Sequence, residues 1–226
     1  HSDAQVKALK DSDRRAVFGY FESAGGVPGN LYPGDARRLK TTHFSSTDQL
    51  TTMTMGGEIY LPGYEVAWAL GRELGLQVVC HIVGTFGMRP TFDALAAANA
   101  FGSDNLFIHM TGMSDFAWQK ARDAGVAVSL AVPIEMNMAH GTPPIIKAMQ
   151  MGVRPSLSTD VECTLAADPF MQMRSAMNLQ RMFVNASKLG GPNMPPTGAV
   201  PLLNPKDVVG WATMNGARDL KLDTKV

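Results

Sequence analysis

Short apolar runs recur along the chain. Each ends in a polar residue, and each is followed by a stretch whose apolar positions repeat at helical spacing. The runs predict strands over Ala16–Tyr20, Leu50–Met55, Leu76–His81, Leu106–His109, Val126–Val132 and Val153–Thr159. Helices are predicted at Ser2–Leu9, Gly63–Leu74, Thr91–Ala100 and Ser114–Ala124, with Val66, Leu70 and Leu74 on one face of the second. Ser114 is the cap and Gly125 the terminator of the fourth. Three more helices are opened by Thr142-Pro143, by Asp168-Pro169 (running to about Ser187) and by Asn204-Pro205-Lys206-Asp207, which ends near Leu220.

Gly25 to Asn30 and the Gly/Pro-rich segment 188–204 are connections by composition. The near-continuous apolar run Val126–Val132 suits a strand enclosed on both faces. Six strands, each followed by a helix, suggest an α/β fold with a parallel sheet, either doubly wound or a (β/α)8 TIM barrel. Six units are two short of a closed barrel. No GxGxxG or Walker loop follows any strand, and Gly84-Thr85-Phe86-Gly87 does not fit one, which argues against a nucleotide-binding sheet.

Composition narrows the function classes. Twenty basic and twenty acidic residues cancel with no run of either sign, so neither a nucleic acid nor an anionic membrane is expected as partner. Two cysteines, Cys80 and Cys163, and no membrane-length apolar run make a reduced cytoplasmic setting the default expectation. Fifteen methionines, mostly at core spacing, read as packing material. The chain opens on His1 and stops at Val226 directly after a helix, so both ends look cut.

The chemistry sits where the apolar runs end. His81, His109 and Asp160 occupy equivalent positions in three separate βα units, and parallel sheets place function at those strand ends. Imidazole and carboxylate donors suit Zn2+ or Fe2+, although a catalytic centre wants three protein ligands plus water. HxH, HExxH and CxxC are all absent. A second group, Glu135 and His140, falls in the segment after Val132 and offers an acid or base. Read blandly, it is a solvated loop carboxylate with a histidine near a helix start. Glu162 has less support, and His1 and His43 least.

The segments Ser158-Thr159-Asp160, Phe107-Ile108-His109, Asn204-Pro205-Lys206-Asp207-Val208 and Ala212–Leu220 resemble the amidohydrolase superfamily in its cytosine deaminase and chlorohydrolase-like branch. The resemblance implies that residues 1–226 are a partial TIM-barrel catalytic domain, with the six strands as the third to eighth. The first strand, which in the family bears an HxH pair of ligands, is then absent. It further implies that His81 and Asp160 are metal ligands, that Asp160 also serves as base, and that His109 contacts substrate or the attacking water.

The implied cofactor is one divalent cation, Zn2+ or Fe2+. The fourth strand has no lysine for carbamylation, which favours a mononuclear site. The implied activity is hydrolysis of a C–N or C–Cl bond in a small molecule. One departure stands out: deaminase members have HxxE on the fifth strand, and here the fourth residue is Gly84, which moves the acid role to Glu135 or His140 or away from deamination. Two other readings compete, a non-catalytic barrel fragment or binding module and a metal-independent barrel lyase using Glu135 and His140. Unpaired sheet edges would favour self-association into a homo-oligomer.

Overall fold

The computed structural model describes residues 1–22, 29–162, 166–190, 198 and 200–225. Cys163, most of the Gly25–Asn30 loop and residues 191–197 and 199 of the 188–204 connection lie outside the described residues. Six strands form one sheet in chain order: β1 (Ala16–Tyr20), β2 (Thr51–Gly56), β3 (Val78–Val83), β4 (Asn105–Thr111), β5 (Ala127–Leu130) and β6 (Ser156–Leu157). The pairing is parallel, with Ala16 opposite Thr51, Met55 opposite Val78 and Ser129 opposite Ser156. Two compact units divide the chain. One takes His1–Cys80 with Asp104–Leu106, and the other takes His81–Ser103 and the chain from Phe107 onward.

In the first unit, α1 (Ser2–Asp11) precedes β1, and α2 (Ala36–His43) lies between β1 and β2. The sequence reading missed α2. Its stretch Arg37-Arg38-Leu39-Lys40 is mostly charged, and only Ala36 and Leu39 reach the core. α3 (Tyr64–Glu73) buries Ala67, Trp68, Leu70 and Gly71, whereas Val66 is 61% exposed. Leu70 of the predicted face packs in the core and Leu74 packs against it, while Val66 turns outward and Ala67 is buried instead. The indole explains part of the shift, since Trp68 Nε1 donates to the Gly57 carbonyl at 2.8 Å. Phe18, Tyr20, Leu39, Phe44, Met53 and Met55 build this unit's core.

In the second unit, α4 (Arg89–Ala97) starts two residues earlier than predicted, at an Arg-Pro first turn. Phe92, Phe101 and Phe107 meet with ring centroids 4.7–5.1 Å apart. Such pairs add about 0.5–1.5 kcal/mol each beyond area burial. α5 (Asp115–Asp123) is capped by Ser114, whose hydroxyl accepts from the Ala117 N–H, and it stops at Gly125 with φ +71°.

β5 is shorter than the predicted Val126–Val132 strand, because Val132-Pro133 turns the chain into α6 (Val132–Asn137). Glu135 thus lies in a helix rather than a loop, and it is buried rather than solvated. α7 (Ile145–Gln150) begins beyond Pro144, and β6 keeps only two residues of the predicted Val153–Thr159. α8 (Pro169–Lys188) is capped by Asp168 through the Phe170 N–H. The last helix starts with an Asn204–Asp207 capping box at α9 (Pro205–Gly210), passes a π turn at Trp211–Asn215, and ends as α10 (Gly216–Asp219). No described helix is long and apolar enough to cross a membrane.

Candidate active site

Five of the residues singled out from the sequence meet in the second unit, at or beyond the carboxyl halves of β3 to β6. His109 is at their centre and is 1% exposed. Its Nδ1 lies 3.2 Å from Glu135 Oε1, and its Nε2 lies 3.5 Å from Asp160 Oδ2. The His81 ring sits beside it at 5.7 Å between centroids, and the His140 ring meets it edge-on at 4.7 Å. The imidazole is therefore bracketed by a carboxylate at each nitrogen and by a second imidazole on each of two sides.

The backbone is bent to allow this. His109 and Met110 have φ of +72° and +54°, and Asp160 has φ of +57°. These are left-handed values that non-glycine residues adopt at a cost of about 1–3 kcal/mol each, and such values cluster at functional sites. They break the two-residue alternation of a plain strand end. Downstream, the Asp160 N–H donates to Ser158 Oγ at 3.0 Å, an Asx/Ser-type turn that holds the carboxylate behind β6.

Thr111 ties the surrounding loops together. Its hydroxyl donates to the His140 carbonyl at 2.5 Å and accepts from the Gly84 N–H at 3.4 Å, while Thr85 Oγ1 donates to the Ala139 carbonyl at 2.8 Å. Thr111 was missed in the sequence. Its place two residues beyond His109 was the available signal. Gly84 has a physical reason to be glycine: a Cβ there would stand 2.7 Å from the Thr111 carbonyl oxygen and 2.9 Å from Gly112 Cα. Backbone atoms cannot yield at those distances, so no glutamate side chain fits at position 84 without moving the strand ends.

Burial raises the Glu135 carboxyl above its ordinary range, opposed by the hydrogen bond to His109. Its Oε1 also accepts from the Ala131 N–H at 2.9 Å, while Oε2 finds no partner among the described residues. His140 is pushed down, first by burial and then by the charge of His109, so its neutral form is favoured. Its Nδ1 is buried without a partner among the described residues, and Phe86 packs edge-on against the ring at 5.2 Å.

The remaining candidates lie elsewhere. Glu162 is exposed. His43 closes α2 and sits 2.7 Å from Asp3 Oδ1, in an exposed cluster where Arg38 and His43 hold the Asp3 carboxyl well below its usual range. His1 is the exposed N-cap of α1.

The imidazole and carboxylate donors of His81 and Asp160 suit Zn2+ in kind. Among the described residues, no group of three or more His, Cys, Asp or Glu side chains is arranged to hold a metal ion. A centre built on His81 and Asp160 needs further ligands beyond this set.

Comparison with known proteins bears on the same residues. The model of the Amidohydrolase family matches residues 69–226, which include all five clustered side chains. A protein of Methanothermobacter thermautotrophicus named 5′-deoxyadenosine deaminase is 28% identical over 146 residues, 64% of this chain and 31% of that protein. One of the same name from Methanosarcina mazei is 34% identical over 125 residues, 55% of this chain and 26% of that protein. The solved structure of an adenosine deaminase from Xanthomonas campestris with bound zinc superposes with a TM-score of 0.79. It covers 98% of this chain and 51% of that one at 20% identity, a likeness of fold. The chain thus spans only part of the length of the proteins it matches.

Proposed function

The chain belongs to the amidohydrolase family, and from that premise we propose that its five clustered side chains form part of a hydrolase centre that replaces an amino group on a small heterocyclic substrate with oxygen. The observation that carries this reading is His109 set between two carboxylates beside a second imidazole, on strand-end backbone strained to place it. The two archaeal relatives are named for deamination of 5′-deoxyadenosine, which makes an aminopurine nucleoside the first substrate class to try.

In this reading the six strands take the places of the third to eighth of a (β/α)8 barrel, and His81 and Asp160 hold a divalent cation, Zn2+ first and Fe2+ second, together with ligands outside this set. Such a cation, when bound, supplies Lewis acidity and brings the pKa of a water molecule toward neutrality. The chain's own residues do the rest. Asp160 accepts a proton from the attacking water and delivers it to the departing nitrogen. His109 accepts at Nε2 from the attacking water and orients it toward the substrate carbon. Neutral His140 offers one further donor or acceptor at the edge of the site. Water oxygen forms the new bond to carbon, the C–N bond breaks, the amino group takes the proton carried by Asp160 and departs as ammonia, and the second water proton ends on the ring nitrogen of the oxo product. A metal-free lyase using Glu135 as base fits less well, because that carboxylate is wholly buried behind His109.

The test is ammonia release from 5′-deoxyadenosine and adenosine by the full-length zinc-loaded protein, alongside Asp160→Asn. Turnover is expected in the parent and a loss of at least about 1,000-fold in the variant, the scale of removing a proton-transfer group. Retention of most of the parent's rate by a folded Asp160→Asn protein would remove Asp160 from the chemistry.

A further inference from the structure

We infer that Glu135 is the positioning residue of this site, acting through His109: it holds the imidazole with its proton on Nδ1 and thereby aims Nε2 at Asp160 and the reacting atoms. Three observations lead there. Glu135 Oε1 accepts from the Ala131 N–H at 2.9 Å and lies 3.2 Å from His109 Nδ1, so one oxygen is anchored to the backbone at the start of α6 and meets the ring. A doubly held acceptor on a helix first turn has little rotamer freedom, and the tautomer of a histidine follows the partner its other nitrogen meets.

Second, Glu135 is 0% exposed, so substrate cannot touch it, and its effect must pass through the imidazole. Third, the carboxylate is a poor structural choice. Its Oε2 is buried without a partner among the described residues, and leaving such a group unsatisfied is destabilising. A neutral side chain of similar volume would fill the space at lower cost. Retaining the acid there makes sense if the ring it holds needs a charged acceptor.

The remaining contacts of His109 restrict tilt but not the tautomer. His140 packs on it edge-on and His81 lies beside it, and neither ring contact fixes which nitrogen bears hydrogen. Asp160 is 3.5 Å from Nε2, longer than a good hydrogen bond, while Glu135 is closer and better placed. The tautomer is therefore decided at the buried end of the ring.

The inference rests on the hydrolase reading for its kinetic consequence only. The experiment has two arms, both on the full-length protein. Long-range proton–nitrogen correlation spectra of histidine-labelled protein, at mildly alkaline pH and with His109 assigned by its loss in His109→Gln, report the tautomer without any substrate. The parent should show the Nδ1–H form. Glu135→Met, which keeps volume and removes the acceptor, should shift His109 to the Nε2–H form.

Glu135→Gln keeps an oxygen for both donors, so it should keep the Nδ1–H form and the parent's melting temperature while losing the charge. Its kcat on 5′-deoxyadenosine should fall about 10–100-fold with KM nearly unchanged, the scale of removing an orienting partner. An unchanged Nδ1–H tautomer in folded Glu135→Met overturns the inference. So does full kcat in Glu135→Gln, which is what a purely structural side chain would give. A parent that deaminates nothing tried fails the hydrolase reading and leaves the tautomer arm to decide this one.

Discussion

Each unit gathers ionisable side chains, and the two gatherings behave differently. In the first unit Glu22 and Glu58 lie past the ends of β1 and β2, the Glu58 N–H donates to Glu22 Oε1 at 3.2 Å, and Cys80 Sγ sits 3.8 Å from Glu58 Oε2. No histidine appears in those contacts. Burial and the charge of Glu58 push Glu22 upward, and burial with the same charge pushes the Cys80 thiol well above its ordinary value. These are groups held toward neutrality. In the second unit the carboxylates of Glu135 and Asp160 instead flank an imidazole, which can answer their charge from either nitrogen. Acids clustered with acids store protons; acids clustered with a histidine can move them.

The sharpest way to break that contrast uses two neighbours in one strand. His81→Ala in the full-length protein should weaken zinc binding by at least about tenfold, measured by metal content after dialysis against a competing chelator. Cys80→Ala should leave zinc content untouched, because its thiol stays protonated and faces Glu58. Its cost should be confined to stability, about 1 kcal/mol in a denaturant melt. Equal metal loss in both variants would erase the distinction between the two clusters.

A smaller effect is expected at Gly84. Its alanine variant must push against the Thr111 carbonyl and Gly112, both backbone, and should lose about 1–3 kcal/mol of stability. The test is a denaturant midpoint at unchanged m-value. An alanine accepted without loss would mean that the approach of these strand ends is adjustable, and that glutamate is excluded from position 84 for some other reason.

Smallest is a pH effect, and it asks whether a buried acid outside both clusters behaves like those of the first unit. Burial raises Asp219 from 3.8 to about 6, opposed by a hydrogen bond from Ser156. The folded chain then keeps a proton that the unfolded chain has released between those two values. That contribution is present at low pH and is lost as pH rises through about 6. Asp219→Asn should flatten stability against pH across this window, by about 1–2 kcal/mol after allowing for partial exposure. A parent curve that rises through the window while the variant stays flat would reverse the sign of the argument.

Periodicity carried the helix and strand order a long way. The Ser114 and Asp168 caps and the Asn204–Asp207 box stand where polar cap residues precede an apolar repeat, because capping is a local contest among neighbouring residues. The charged helix α2 went unseen, since only Ala36 and Leu39 point inward and the repeat is too sparse to read. Glu135 was legible as a candidate but not as a buried one. Whether Val126 onward stays extended or turns into α6 after Ala131 is decided by a proline and by what packs around it.

The sequence by itself determined which chemical groups stand at the ends of the apolar runs: imidazoles at 81 and 109 and a carboxylate at 160, with Glu135 and His140 nearby. It determined the alternating strand–helix order for the same reason, since both follow from local spacing and local hydrogen bonding. Only the tertiary structure decided that His109 is the centre, that Glu135 meets it from the buried side, and that position 84 has no room for a side chain. Those outcomes depend on distances between segments far apart along the chain, and on left-handed backbone at His109 and Asp160 that local preference disfavours and surrounding packing imposes.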